Sequence, residues 1–289
     1  MTLAELVADT ERQLTQAGVS FGHGTTNARD EAAWLVLHAL GLPLDIDIDG
    51  SAGKQPAAPD GQARAATLLK ARIDTRQPLA YLLKEAWLQG VPFYVDERAI
   101  VPRSLIAEVL ADGSIDPWLS DQTRRVLDLC TGNGSLAVLA ALAWPEVQVD
   151  AADLSVEALA VARINVEKHG LKDRIKPIES DGLHNCPGPY DLILCNPPYV
   201  NVASMAALPA EFRAEPALAL AGGADGMDFI RALLRDAPTR MNERAVLVLE
   251  IGHERTHFEA AFPRLNPVWL DTSAGGDQVL LLTCEALAP

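Results

Sequence analysis

The sequence predicts an α/β fold: a mostly parallel sheet covered by helices on both faces, with an antiparallel hairpin at one edge. A small helical domain and a linking β-hairpin precede it. Three observations carry this expectation. Apolar residues recur at helical spacing up to about residue 86. From about residue 102, short β-branched runs alternate with helical stretches, the pattern of parallel strands joined by helical crossovers. The last two apolar runs lie too close together for a helix to fit between them, so they must pair as a hairpin. The expected divisions are 1–86, 87–101 and 102–289.

In the first division Leu3, Leu6, Val7 and Leu14 form one helical stripe, and Trp34, Leu35, Leu37, His38 and Leu40 form a second after a cap at Asn27. Residues 50–61, rich in glycine and proline, read as a loop before a helix through Leu68, Leu69 and Ile73. Aromatic and β-branched residues around Gly90-Val91-Pro92 suit a hairpin. Beyond it the expected strands are 126–129, 147–152, 175–178, 192–195 and 246–251, with the closing hairpin at 268–270 and 279–282. One crossover helix is well marked: Ser155 caps it, Glu157 lies in its first turn, Lys168 and His169 in its last, and Gly170 stops it.

With 289 residues, 49% of them hydrophobic, the chain can bury a core without disulfides or metals. The four cysteines, Cys130, Cys186, Cys195 and Cys284, form no C-x-x-C pair and read as free thiols. The longest apolar run, 136–144, is too short for a membrane span, and the first residues lack a basic signal-peptide start, so a cytoplasmic, membrane-free protein is expected. A formal charge of −15 repels phosphate backbones, which disfavours direct duplex DNA binding, and attracts basic partners.

The first strand of the sheet runs into Asp128-Leu129-Cys130-Thr131-Gly132-Asn133-Gly134 and then a helix, a G-x-G-x-x-A loop ending at Ala137. Gly132 and Gly134 permit a sharp turn and close approach of backbone to a nucleotide-type ligand. Nineteen residues beyond Gly134, Asp153 ends the next strand, where a carboxylate accepts hydrogen bonds from ribose hydroxyls. Asp181, after the third strand, offers a second carboxylate to an adenine amino group. A dinucleotide and a sulfonium cofactor both remain open at this point. The latter carries no phosphate and tolerates acidic neighbours such as Asp128.

The fourth strand ends in Asn196-Pro197-Pro198-Tyr199. Two prolines fix φ and donate no hydrogen bonds, leaving a stiff array of acceptors at the carboxyl end of the sheet. Together with the glycine loop, this motif resembles S-adenosylmethionine-dependent methyltransferases that act on planar amino groups, and a dinucleotide oxidoreductase would leave it without a role. More of the chain resembles the protein-glutamine methyltransferases. The matching stretches are Gln77-Pro78-Leu79-Ala80-Tyr81, Phe93-Tyr94-Val95-Asp96-Glu97-Arg98, Val101-Pro102-Arg103-Ser104, Glu215-Pro216 with Ala219-Leu220, and Gly222-Gly223-Ala224-Asp225-Gly226. The second and third are most similar to the branch that modifies large-subunit ribosomal protein L-three. The release-factor branch and enzymes methylating exocyclic amines of DNA or RNA are the alternatives.

The resemblance implies a Rossmann-like class I methyltransferase sheet and a helical substrate-recognition domain. It implies S-adenosylmethionine held by Asp128, Cys130, Thr131, Gly132, Asn133, Gly134, Asp153, Asp181 and Asn196, with S-adenosylhomocysteine as product. The Asn196 side-chain oxygen and the Pro197 carbonyl would accept the two amide hydrogens, Tyr199 would pack on the planar group, and Pro198 and Arg103 would line the site. The stretch 201–226, long and poorly periodic, reads as a loop that lines it too, since loops of this length in compact domains are usually functional. Two residues depart from the family pattern: Asn133 stands where a smaller side chain is usual, and Leu105 where proline is expected. The basic substrate suits the acidic surface by speeding encounter. The segment His253-Glu254-Arg255-Thr256-His257 matches H-E-x-x-H, but its position directly after a strand makes it the start of a surface helix rather than a zinc site.

Overall fold

The structure, a computed structural model, describes residues 1–288 and divides into two compact units. The smaller comprises Met1–Ala86 together with Leu208–Glu215; the larger comprises Trp87–Ala207 and Pro216–Pro289.

The smaller unit is built on α1 (Leu3–Ala17), α2 (Ala28–Leu40), α3 (Pro59–Thr75) and the short α4 (Leu79–Leu83). Thr2 and Glu5 form a reciprocal capping box on α1, Asn27 caps α2 by accepting from Asp30 N, and Pro59 occupies the first turn of α3. Leu6, Val7, Leu14, Leu35, Leu37 and Leu69 are buried, as their spacing predicts. What spacing cannot show is the charged centre. Arg72, 1% exposed, donates from Nε to Glu31 (2.8 Å), from Nη1 to Glu211 (3.3 Å) and from Nη2 to the Ser20 carbonyl (2.8 Å). Glu211 also accepts from Arg76 at 3.1 Å and from Ser20 N at 3.0 Å, and Glu215 lies 3.4 Å from the buried His23. Residues 208–215 are thereby fixed within the helical unit.

The larger unit begins with a hairpin, β1 (Ala86–Leu88) and β2 (Val91–Phe93), turning through Gln89 and Gly90, both at positive φ. Its strands stop at Phe93, short of the expected residue 101. After α5 (Ile106–Asp112) the alternation begins: β3 (Arg125–Leu129), α6 (Ser135–Ala143), β4 (Gln148–Asp153), α7 (Val156–Lys168), β5 (Ile175–Glu179) and β6 (Tyr190–Cys195). The stretch after β6 is not the irregular loop its poor periodicity suggests. It holds α8 (Val202–Ala207), whose first turn is capped by Asn201, and α9 (Ala210–Arg213), which starts after Pro209. Then come α10 (Asp228–Asp236), β7 (Met241–Glu250), α11 (Arg255–Ala261), β8 (Val268–Thr272), β9 (Gly275–Thr283) and α12 (Cys284–Leu287).

The seven-stranded sheet has the order β5-β4-β3-β6-β7-β9-β8. Pairs from β5 through β7 are parallel, and β9 runs antiparallel to both β7 and β8, so the predicted mixed sheet with an antiparallel edge hairpin is observed. Alternate residues feed two cores. Val126, Leu192, Leu194, Val246 and Val248 meet Ile106 and Val109 of α5 and Leu136 and Leu139 of α6 on one face. Leu127, Leu129, Ile193, Leu247 and Leu249 meet Ile230 and Leu233 of α10 and Phe258 of α11 on the other. Ser155 and Asn27 cap their helices as expected. No helix among the described residues is long and apolar enough to cross a membrane.

The Arg72 cluster sets the first expectation. Arg72→Met fills similar volume but leaves Glu31 buried without a guanidinium and Glu211 with that of Arg76 alone, which costs about 3–5 kcal/mol. Urea unfolding of the full chain measures it; a loss under about 1 kcal/mol would show that the buried carboxylates are held by their remaining donors.

Candidate active site

The parallel pairing of β3 with β6 sets Leu129 opposite Cys195, so the segments following each strand leave the sheet side by side. One is the glycine loop, the other the Asn196-Pro197-Pro198-Tyr199 corner. Between β6 and β7, Cys195 pairs with Leu249, which brings Glu250 to the same end.

The glycine loop is held from its own backbone. Thr131 N donates to the Ala152 carbonyl (3.0 Å), Gly134 N to the Thr131 carbonyl (2.8 Å), and Gly132 N to Asp153 Oδ2 (2.9 Å). The start of α6 has few amides to spare. Ala137 N donates to Asp128 Oδ2 (2.8 Å), Ser135 N to Asn133 Oδ1 (3.2 Å) and Val138 N to the Gly134 carbonyl (3.0 Å). A pyrophosphate would need those amides, so the loop suits a ligand without phosphate at this point. Asn133, the larger side chain in the loop, thus closes a turn onto Ser135 N just ahead of the helix. Asp128 is fully buried; Oδ2 also accepts from Thr131 Oγ1, whereas Oδ1 has no partner among the described residues.

A cleft of about 800 Å³, open solvent included, adjoins this loop. Of the predicted residues, Cys130, Gly132, Asp153, Asp181, Asn196 and Pro198 line it. Each Asp153 oxygen accepts one backbone N–H, from Gly132 and from Ser155, and each retains capacity for another donor. Burial pushes the Asp153 carboxyl above its usual range, against the pull of those bonds. Asp128, Thr131, Asn133 and Gly134 lie behind the cleft surface and shape the loop rather than line it. Pro197 is buried; neither it, Tyr199 nor Arg103 lines the cleft, and an Arg103 Nη donates to the Val101 carbonyl at 3.1 Å.

Further residues complete the lining. Arg98 reaches the cleft while paired in two-point fashion with Asp96 (2.8 and 2.6 Å), and those bonds hold the Asp96 carboxyl down at about 2. Pro216, Leu218, Ala219 and Phe229 supply apolar wall. Pro216, Leu218 and Ala219 fall in the stretch 201–226 expected to line the site and Arg98 in a motif singled out earlier, whereas Phe229 escaped the sequence reading. Asn165 of α7, fully buried, accepts from Tyr94 N and donates to the carbonyls of Tyr94 and Asn133, coupling the segment after β2 to the glycine loop.

Tyr199 is tightly enclosed. A Cβ on Gly252 would come within 2.5 Å of its ring, and one on Gly226 within 2.2 Å of its carbonyl oxygen. Its hydroxyl donates to Glu250 Oε1 at 3.1 Å. Asn201 Nδ2 donates to Glu254 Oε1 at 2.6 Å, and the other Glu254 oxygen is bonded to His257 Nδ1. The H-E-x-x-H segment therefore anchors the chain leaving the corner, and only its last three residues lie in α11.

The methyltransferase small domain family model matches residues 112–223, and together with the sheet this defines the class: the protein is a methyltransferase with a Rossmann-like fold. A ribosomal protein uL3 glutamine methyltransferase from Bordetella pertussis is 53% identical over 292 residues, spanning 99% of this chain and 96% of that protein. Another from Burkholderia pseudomallei is 48% identical, spanning 99% and 95%. The chain belongs to the family of ribosomal protein uL3 glutamine methyltransferases. Among solved structures, the catalytic domain of hMettl16 in complex with a MAT2A 3'UTR hairpin matches with a TM-score of 0.52 at 15% identity, covering 77% of this chain and 80% of that one, a likeness of fold alone.

Asp128 yields a pH expectation. Burial raises its carboxyl from 3.8 to about 7; bonds from Thr131 and Ala137 oppose the rise, and the neighbouring Asp153 charge adds to it. With the folded value above the unfolded one, its stabilising contribution is complete below the unfolded value and is lost as pH climbs through about 7. Between pH 5 and pH 8 the ligand-free protein should lose about 3 kcal/mol that Asp128→Asn does not lose. Urea melts of both proteins across that range check it, and parallel profiles would refute it.

Proposed function

We propose that the protein transfers a methyl group from S-adenosylmethionine to the side-chain amide nitrogen of a glutamine in ribosomal protein uL3. The observation carrying this reading is Asn196: it lines the cleft beside the glycine loop, and no group among the described residues hydrogen-bonds its side-chain amide. The uL3 glutamine methyltransferases that this chain resembles support the same substrate.

The residues present fit the cofactor. Asp153 has free acceptor capacity for ribose hydroxyls, Asp181 and Ser180 lie in the same cleft, and Ala158, Leu154 and Phe229 give apolar surface for a base. The start of α6 is already occupied, in keeping with a phosphate-free ligand. S-adenosylmethionine, when bound, supplies an electrophilic methyl on a sulfonium centre.

The protein's own task is then to hold a poor nucleophile. An amide nitrogen shares its lone pair with its carbonyl. Accepting its two N–H groups at Asn196 Oδ1 and the Pro197 carbonyl fixes the amide plane and stabilises positive charge as it develops on nitrogen. Pro197 and Pro198 keep that array stiff, because neither can rotate about φ. Alignment of the nitrogen with the methyl supplies much of the acceleration, and no strong base is needed before attack. The proton is released to solvent once the nitrogen bears the methyl group. Tyr199 braces the corner through its hydroxyl bond to Glu250, and the helical unit serves substrate recognition. The acidic composition favours encounter with a basic ribosomal protein, and the reading takes the reaction to be cytoplasmic.

Labelled cofactor, the purified protein and ribosomal protein from cells lacking the enzyme test the reading. Mass spectrometry should place the label on a uL3 glutamine, and Asn196→Ala should lower turnover about a hundredfold with little change in cofactor binding. Label on a nucleic-acid base or on a release factor would overturn the substrate assignment.

A further inference from the structure

We propose that Glu250 is a positioning residue for methyl transfer, acting as a single clamp that ties the Asn196–Tyr199 corner to the 103–105 segment. This rests on the reading of that corner as the amide-holding site. Glu250 ends β7, one residue past Leu249, the partner of Cys195. It is 3% exposed, and its carboxylate meets three donors from two separate stretches of chain. Tyr199 Oη donates to Oε1 at 3.1 Å; Ser104 Oγ (2.6 Å) and Leu105 N (2.9 Å) donate to Oε2.

Burial raises this carboxyl's pKa, while the three donors and the nearby Arg103 charge oppose the rise. A carboxylate in so dry a place costs stability that an apolar side chain would not, and buried ionic groups of this kind are best explained where they specify geometry. Here the geometry is that of the site. Tyr199 is next but one to Pro197, whose carbonyl is the second amide acceptor, and its ring is already packed by Gly252. Fixing its hydroxyl removes the remaining freedom of the corner. Leu105, where the resemblance expects proline, is the donor that a proline could not provide. Its φ of −67° matches proline geometry, so the N–H is the feature that differs.

The test uses the full-length protein, with S-adenosylhomocysteine as probe of the cofactor cleft and uL3 as methyl acceptor. Glu250→Gln can keep every contact, its oxygen accepting from Ser104 and Leu105 and its NH₂ donating to Tyr199 Oη; it should retain turnover within about threefold. Glu250→Ala should lower kcat about a hundredfold, with S-adenosylhomocysteine affinity within about twofold of the parent. Hydrogen exchange should rise at 103–106 and 196–201 and stay unchanged at 131–137. Should Glu250→Ala fail to fold, Tyr199→Phe removes only the corner's link and should raise exchange at 196–201 and lower kcat about tenfold.

The clamp is overturned by a kcat within about threefold of the parent in Glu250→Ala or Tyr199→Phe, by exchange that rises uniformly, or by cofactor affinity falling in step with kcat. The exchange measurements need no substrate. A parent protein inactive on uL3 therefore counts against the substrate reading alone, while the clamp still stands or falls on the exchange pattern.

Discussion

Leu129 and Cys195 face each other on neighbouring parallel strands, and the site follows from that pairing. A slip of one residue would turn the alternating side chains of β6 to the wrong cores and carry Asn196 away from the glycine loop. The register is protected by the burial it serves: Leu192 and Leu194 belong to one core, Ile193 and Cys195 to the other, and all four are fully buried. Apolar packing thus fixes, to within a residue, where two polar segments emerge.

Those segments are then stiffened by different means. The glycine loop is bound by its own amides and by Asp128 and Asp153, each of which spends part of its acceptor capacity on local N–H groups. The corner after β6 is stiffened by proline, by the close backbones of Gly226 and Gly252, and by Glu250. Both solutions spend buried polar groups on geometry, which agrees with a reaction that depends on alignment more than on acid–base chemistry.

Sequence reading recovered what has a local signature. The apolar runs at 126–129, 192–195 and 246–251 lie within or across β3, β6 and β7, and the caps at Asn27 and Ser155 are where composition places them. Gly132, Asp153 and Asn196 could be found because spacing and neighbouring strands mark them. Glu250, Asn165 and Arg72 could not. Each acts on partners far away in the chain, and a lone polar residue at the end of a strand or on a helix face leaves no periodic trace. The stretch 201–226 misled for a related reason: α8 and α9 are too short to display a helical period.

The excursion of residues 208–215 has a bearing on how this architecture can be cut or recombined. The chain leaves the corner at Asn201, contributes Glu211 and Glu215 to the interior of the helical unit, and returns to supply Pro216, Leu218 and Ala219 to the cleft wall. Deleting the first 86 residues would strip Glu211 of both its arginines and Glu215 of His23, and would release the cleft wall at its upstream end. The sheet half is therefore not an excisable cassette, and a graft that exchanges the amino-terminal helices for those of a relative must carry the eight-residue excursion along with them.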